Sequence, residues 1–527
     1  MFAQNQPITF SRADSLRGNL TPLRTSYDIN YYHLDVKLDI DNKFISGSNT
    51  FKFTATEDLN RLQFDLFDNM LIQKIIYHDK EIPYTREFNA VFVDFPLLIK
   101  KNSIDEFTVF YSGNPKIAKR APWDGGFTFS ADKSGKPWVS VSTQGFGASS
   151  WWPNKDHQAD EADSVLISIT VPKGLMDVSN GRLRSVENVD DNYTRYNWFV
   201  SYPINNYNVA LNVADYVHFD DLYKGENGDL SLDYYVLREN LDKAKKQFKE
   251  DVAPMLNTFE NWFGPYPFYR DGYKLIESPY LGMEHQSAVA YGNKYMKGYL
   301  GRDLSGTGLG MKWDYIIIHE SGHEWFGNNI TAKDIADMWI HEGFTMYSES
   351  LFVESREGKK AAAKYIAGMR QNIRNDMPVI GPYNVNTEGS GDMYYKGANL
   401  IHMIRTVIGD DTKWREILRG LNAEFALKTT TTEEIVNFIN KKSGKDLTPI
   451  FDQYLRHNDI PVLEYKISRK QLSYRWQADV AGFNMPVRIK TDKKYLWLQP
   501  SSEWKTLRWR SSFIPDLENF YIGVKEM

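Results

Sequence analysis

The spacing of hydrophobic residues changes twice along this chain, and that change constrains the fold more than any single motif. Tyr32, Leu34, Val36, Leu38 and Ile40 alternate with His33, Asp35, Lys37 and Asp39, the period of a half-buried antiparallel strand. Runs of the same kind recur at 49–54, 62–67, 72–77, 107–111, 165–171, 193–200, 209–219 and 230–237, broken by Asp, Asn, Gly and Pro. Residues 1–237 therefore read as one N-terminal all-β domain. Its polar first 26 residues form a tail or surface strap, and His33 lies on a solvated face. From Arg238 the spacing turns helical, with Ala244, Phe248, Val252, Met255, Leu256, Phe259 and Trp262 on one stripe. Pro254 kinks that helix or opens a second, and Gly264-Pro265 ends it. Helical patterns follow at 359–374, 395–408, 412–425, 432–442 and 447–457, and five glycines mark 298–310 as a loop. After Pro461 the alternation returns at Leu463, Tyr465 and Ile467. The reading is a multidomain α+β chain: an all-β domain at 1–237, a mainly helical domain at 238–458 and a small β-sandwich at 459–527.

Composition removes several function classes. A net charge of −5 offers no basic excess to meet nucleic-acid phosphates. There is no cysteine, so disulfides, thiolate zinc ligands and a cysteine nucleophile are all excluded. No run approaches the ~18 apolar residues of a membrane-spanning helix. Met1-Phe2-Ala3-Gln4 lacks the basic and apolar parts of a signal peptide, yet Phe2-Ala3-Gln4 resembles the surroundings of a cleavage site. The reading is an exported protein, periplasmic or secreted, whose signal peptide is absent from this chain. A cytoplasmic location is the alternative.

The chemistry sits in the helical segment, at His319-Glu320-Ser321-Gly322-His323. On a helix, residues four apart share a face. Two neutral imidazoles so placed can reach one zinc ion, and Glu320 between them can activate a water at the metal. A catalytic zinc needs a third protein ligand. The next helical pattern, 335–351, offers Glu342, with 18 residues between it and His323. A following antiparallel helix would return Glu342 to the same metal. Zinc with one carboxylate keeps a net positive charge, which acidifies water. Read by itself, Glu342 is equally a surface carboxylate or a salt-bridge partner.

The run from His319 to Asn328, HESGHEWFGN, followed by Trp339-Ile340-His341-Glu342-Gly343-Phe344, resembles the aminopeptidase N family of zinc metallopeptidases, the gluzincins. The resemblance implies a thermolysin-like catalytic domain and one Zn2+ per chain, held by His319, His323 and Glu342. Glu320 would be the general base, and Glu349 would match a carboxylate that orients a ligand histidine. His341 stands where the family has Asn, which puts the hydrogen bonding around the ligand in question. Leu281-Gly282-Met283-Glu284-His285 is similar to the family's G-x-M-E-N motif. It implies that Glu284, on the Gly282-Met283 segment, receives the free α-amino group of a substrate; Leu281 and His285 depart from the pattern. Tyr394-Tyr395-Lys396-Gly397-Ala398 is similar to Y-x-K-G-A, which implies an oxyanion donor at Tyr394. Ser142-Thr143-Gln144-Gly145-Phe146 resembles T-Q-x-E, with Gln144 helping to hold the amine but Phe146 where the family has Glu.

Together these imply a zinc-dependent aminopeptidase acting on peptides with a free N-terminus. The alternatives are an epoxide hydrolase of the same family, an endopeptidase, or a non-catalytic peptide-binding protein on this fold. The resemblance lacks the large helical C-terminal domain of many members. The expected consequence is a more open cleft, or one closed by a second protomer in a homo-oligomer. Side-chain preference is not readable at this level.

Overall fold

The computed structural model describes residues 9–527 except residue 493. The N-terminal stretch read as a tail or strap is locally helical, with α1 (Arg12–Gly18) and α2 (Pro22–Thr25). Ser11 and Asp14 form a reciprocal capping box at the start of α1, satisfying amides that the first turn leaves unpaired. The strap is pinned inward by Arg24, which is 0% exposed and donates to both oxygens of Asp65 at 2.6 Å. Burial lifts Asp65 to about 6, with the Arg24 charge opposing.

The β domain is built on an eight-stranded sheet flanked by smaller ones. Its longest strand, Tyr27–Asp39, pairs antiparallel with Phe44–Ala55 and parallel with Ser164–Pro172, so the strand expected to be antiparallel is so on one side only. Leu34, Val36 and Leu38 are fully buried, as the alternation requires. They share a core with Phe51, Phe64 and Phe107, the Phe51 and Phe107 rings stacking at 4.6 Å. His33 is half-buried and within 3.2 Å of the Ser168 hydroxyl.

The expected boundary at 237 falls inside a continuous sheet. Tyr216–Gly225 and Gly228–Leu237 form a hairpin, and Gly228–Leu237 pairs parallel with Tyr273–Glu277 of the following segment. The full order is Tyr216–Gly225, Gly228–Leu237, Tyr273–Glu277, Val289–Tyr291 and Gly282–Met283, which leaves Gly282–Met283 at an edge. We therefore propose that the second unit begins near residue 215. Period two shows that a segment is a strand but not which sheet it joins.

Against this sheet packs α3 (Leu241–Phe263), a single helix that runs through Pro254. The site helices follow: α4 (Tyr315–Gly322), α5 (Trp339–Glu357), α6 (Lys359–Met369) and α7 (Tyr395–Ile408). The unit closes with α8 (Asp411–Glu424), α9 (Thr432–Ser443) and α10 (Thr448–Arg456). The C-terminal strands form a four-stranded and a three-stranded sheet, and their buried Leu463, Trp476 and Ile489 belong to the same core as the helices. No helix among the described residues is long and apolar enough to cross a membrane.

Candidate active site

Asp314 starts α4 by accepting hydrogen bonds from the amides of Ile316 and Ile317. The apolar run Ile316–Ile318 is buried, and His319 and Glu320 follow it on the same helix. The helix ends at Gly322, and His323 keeps αR geometry as its C-cap. His319 and His323 thus remain one turn apart. Beyond them the chain turns sharply at Phe326 and Gly327, where Gly327 has φ 131°, a region that disfavours a side chain. α5 then brings Glu342 back.

The imidazole nitrogens and the Glu342 carboxylate meet at one point. Glu342 Oε2 lies 3.6 Å from His319 Nε2 and 3.3 Å from His323 Nε2, and all three ligand atoms fall within 4.8 Å of one another. That oxygen is buried and accepts no hydrogen bond of good geometry. Each ring's other nitrogen is occupied. His319 Nδ1 is 2.7 Å from Glu349 Oε1, and His323 Nδ1 is 3.0 Å from the Phe326 carbonyl oxygen and 3.2 Å from Thr345 Oγ1. A proton donated from Nδ1 to these acceptors leaves the Nε2 lone pair facing the cluster, the tautomer a metal requires. Two inward nitrogens and an orphaned carboxylate oxygen fit a zinc ion.

Charge in this pocket is finely balanced. Burial alone would raise Glu342, yet the two histidines hold it well below the usual carboxylate range. Burial lifts Glu320 to about 7 against the pull of His319. Glu349 is itself held by the Tyr365 hydroxyl at 2.6 Å.

Tyr394 immediately precedes α7. Its ring lies 6.1 Å from that of His319, at 23° to it, and burial keeps the phenol well above its ordinary pKa. What brings it there is a close helix crossing. A Cβ on Gly343, next to Glu342, would sit 3.3 Å from the Gly397 Cα, so α5 and α7 touch backbone to backbone. Tyr395 is half-buried beside it and lines the same cavity of about 490 Å³.

Glu284 follows the edge strand Gly282–Met283 and is 2% exposed. Its carboxylate, that of Glu320 and a His323 nitrogen lie within 4.8 Å of one another. Gly282 presses against Glu320: a Cβ there would be 2.7 Å from Glu320 Oε1. Met283 is buried and also lines the cavity. Gln144 Nε2 and the Tyr207 hydroxyl both donate to Glu284 Oε1, the latter at 3.0 Å. Asn328 Nδ2 donates to the Glu284 carbonyl at 2.8 Å and accepts in turn from Asn208. Burial raises Glu284.

The two unusual histidines are both buried. His341 Nε2 accepts from the Ala332 amide at 2.8 Å, so the side chain in place of Asn braces the loop before α5. Neither ring nitrogen of His285 has a partner among the described residues, and burial lowers that ring to about 3. Phe146 points away from the cavity into an edge contact with Phe67. Three residues at the site escaped sequence reading. Asn328 lies inside the quoted motif, but its asparagine side chain carries no spacing signal. Tyr207 and Glu388 come from segments with no pattern at all. Glu388 lines the cavity and is lifted by burial, then by Glu342 and Glu284, to about 7.

Comparison with known proteins bears on the same residues. Residues 249–454 match the peptidase family M1 domain. Aminopeptidase B of Mus musculus is 27% identical over 279 residues, covering 48% of this chain and 40% of that protein. A probable aminopeptidase 1 of Saccharolobus solfataricus is 22% identical over 348 residues, covering 63% of this chain and 43% of that protein. The chain thus spans about two fifths of the length of the curated relatives it matches. Among solved structures, an M1 zinc metallopeptidase from Deinococcus radiodurans superposes with a TM-score of 0.68 at 18% identity. The match covers 83% of this chain and 95% of that one, and it shares the fold.

Proposed function

From the premise that residues 249–454 belong to peptidase family M1, we propose that this chain is a zinc-dependent aminopeptidase. One observation carries the reading: Glu284 lies within 4.8 Å of the base Glu320 and the ligand His323. A residue of extended chain spans ~3.3–3.6 Å. A carboxylate so close to the reacting centre leaves room for a single residue on the amino side of the scissile bond, and it closes the cleft to longer chains. The edge strand Gly282–Met283 has an open side on which the peptide backbone can lie.

His319, His323 and Glu342 would hold the zinc. When bound it supplies Lewis acidity, polarising the scissile carbonyl and acidifying water. The remaining work falls to side chains. Glu284, with one oxygen occupied by Gln144 and Tyr207, turns the other to the substrate ammonium. Glu320 takes the proton of the attacking water and delivers it to the leaving amine, a transfer that its place beside His323 and Glu284 suits. Tyr394 stays protonated and donates to the oxygen on which negative charge develops.

The test compares free and N-acetylated aminoacyl amides, with chelator and with zinc restored. Hydrolysis of the free amides alone, abolished by chelation, is expected. Equal cleavage of acetylated peptides would make the enzyme an endopeptidase. A zinc-loaded chain that cleaves neither would be a binding protein. The named relatives reported above are peptidases, which does not favour the epoxide-hydrolase alternative. An exported location and closure of the cleft by a second protomer belong to the same proposal; host fractionation and sedimentation check them.

A further inference from the structure

Four carboxylates line the catalytic cavity, Glu284, Glu320, Glu342 and Glu388, and no lysine or arginine among the described residues does. Three have work. Glu342 faces both histidines, Glu320 stands beside them as the base, and Glu284 is hydrogen-bonded by Gln144 and Tyr207. Glu388 accepts no hydrogen bond and forms no ion pair among the described residues. Glu388 is half-buried and faces the cavity with no protein partner among the described residues, so it is free to pair with a cation that arrives with the ligand.

Its position identifies that cation. Glu388 Oε1 lies where a Cβ on Gly145 would be 3.1 Å away, and Gly145 adjoins Gln144, the donor to Glu284. Glu388 therefore stands at the amine end of the cleft. It belongs to none of the compact sets of ligating atoms that join Glu284, Glu320 and His323 within 4.8 Å. The α-ammonium is one bond from its Cα and must stay with Glu284. The cation at the end of an arginine or lysine side chain lies several bonds farther out, and Pro122, Trp123 and Met393 give the cavity apolar surface for its methylene stem. The mount is firm. Asn386 Nδ2 and Arg17 Nη2 donate to the Gly145 carbonyl at 3.3 and 3.2 Å, and the Ser390 hydroxyl ties the segment to Asp376 at 2.6 Å. Recognition residues on such braced supports lose little on binding.

We propose that Glu388 is a specificity-determining residue that pairs with a cationic N-terminal side chain, so that this chain prefers substrates beginning with arginine or lysine. The proposal rests on the aminopeptidase reading. Its test measures kcat/KM for arginyl, citrullinyl and leucyl fluorogenic amides with wild type and Glu388→Gln, citrulline being the uncharged likeness of arginine. Wild type is expected to favour arginyl over citrullinyl by at least about tenfold, and Glu388→Gln to erase most of that ratio. Equal losses on arginyl and leucyl substrates would place Glu388 on the α-ammonium and overturn the proposal, as would an unchanged ratio. Should zinc-loaded wild type cleave no substrate, the aminopeptidase reading fails instead. Calorimetric titration with arginine amide and leucine amide then decides this one: tighter arginine amide binding, lost in Glu388→Gln, sustains it, and equal binding ends it.

Discussion

At the metal end of the cleft, every proposed ligand comes from residues 319–342, and their supports are near in the chain: Glu349 is 30 residues from His319, and Phe326 is 3 from His323. At the amine end the distances are of another order. Glu284 meets Gln144 across 140 residues and Tyr207 across 77, and Asn386 reaches Gly145 across 241. The metal end is a local structure on two helices. The amine end exists only when the β domain docks on the helical unit. On the proposed function, chemistry common to many peptides belongs to the first, and choice among peptides to the second.

Substitutions can break or sharpen this division. Glu320→Gln keeps the metal and lowers kcat by about 10²–10⁴; metal content measured beside steady-state rates checks it, and a variant that stays active would remove Glu320 as the base. Tyr394→Phe lowers kcat by about 10²–10³ with little change in KM, since the hydroxyl is needed where charge develops. Glu349→Gln loses the acceptor of His319 Nδ1, and competition with a chelator is expected to show zinc held about 10–100-fold more weakly. Tyr207→Phe belongs to the other end. It removes one of two donors to the Glu284 carboxylate and raises KM for free-amine substrates by about 2–10-fold, leaving zinc affinity at the wild-type value. If Tyr207→Phe weakened zinc, the two ends would not be separable.

Much of the metal end was legible in the chain. His319 and His323 share a face because four residues make about one helical turn, and the helical pattern after them carried Glu342. The close contact of Gly343 with Gly397, which puts Tyr394 over the cluster, has no such signal. The runs 209–219 and 230–237 were legible as strands, but their pairing was not: Gly228–Leu237 joins Tyr273–Glu277, which lies beyond α3. The strap at 12–25 looked like a tail, although Ser11 and Asp14 are a readable capping pair; its helices are too short to show a period.

The sequence by itself determined the order of strand-rich and helical parts and the pair of histidines on one face, because these follow from backbone periods acting over a few turns; it singled out Glu342 only through the resemblance of the surrounding motif. Only the tertiary structure decided that Tyr207 and Gln144 share one oxygen of Glu284, and that among the described residues His285 is sealed without a partner and Glu388 stands beside Gly145 with none. Burial and pairing of charge depend on distances through space, and docking of separate units sets those distances.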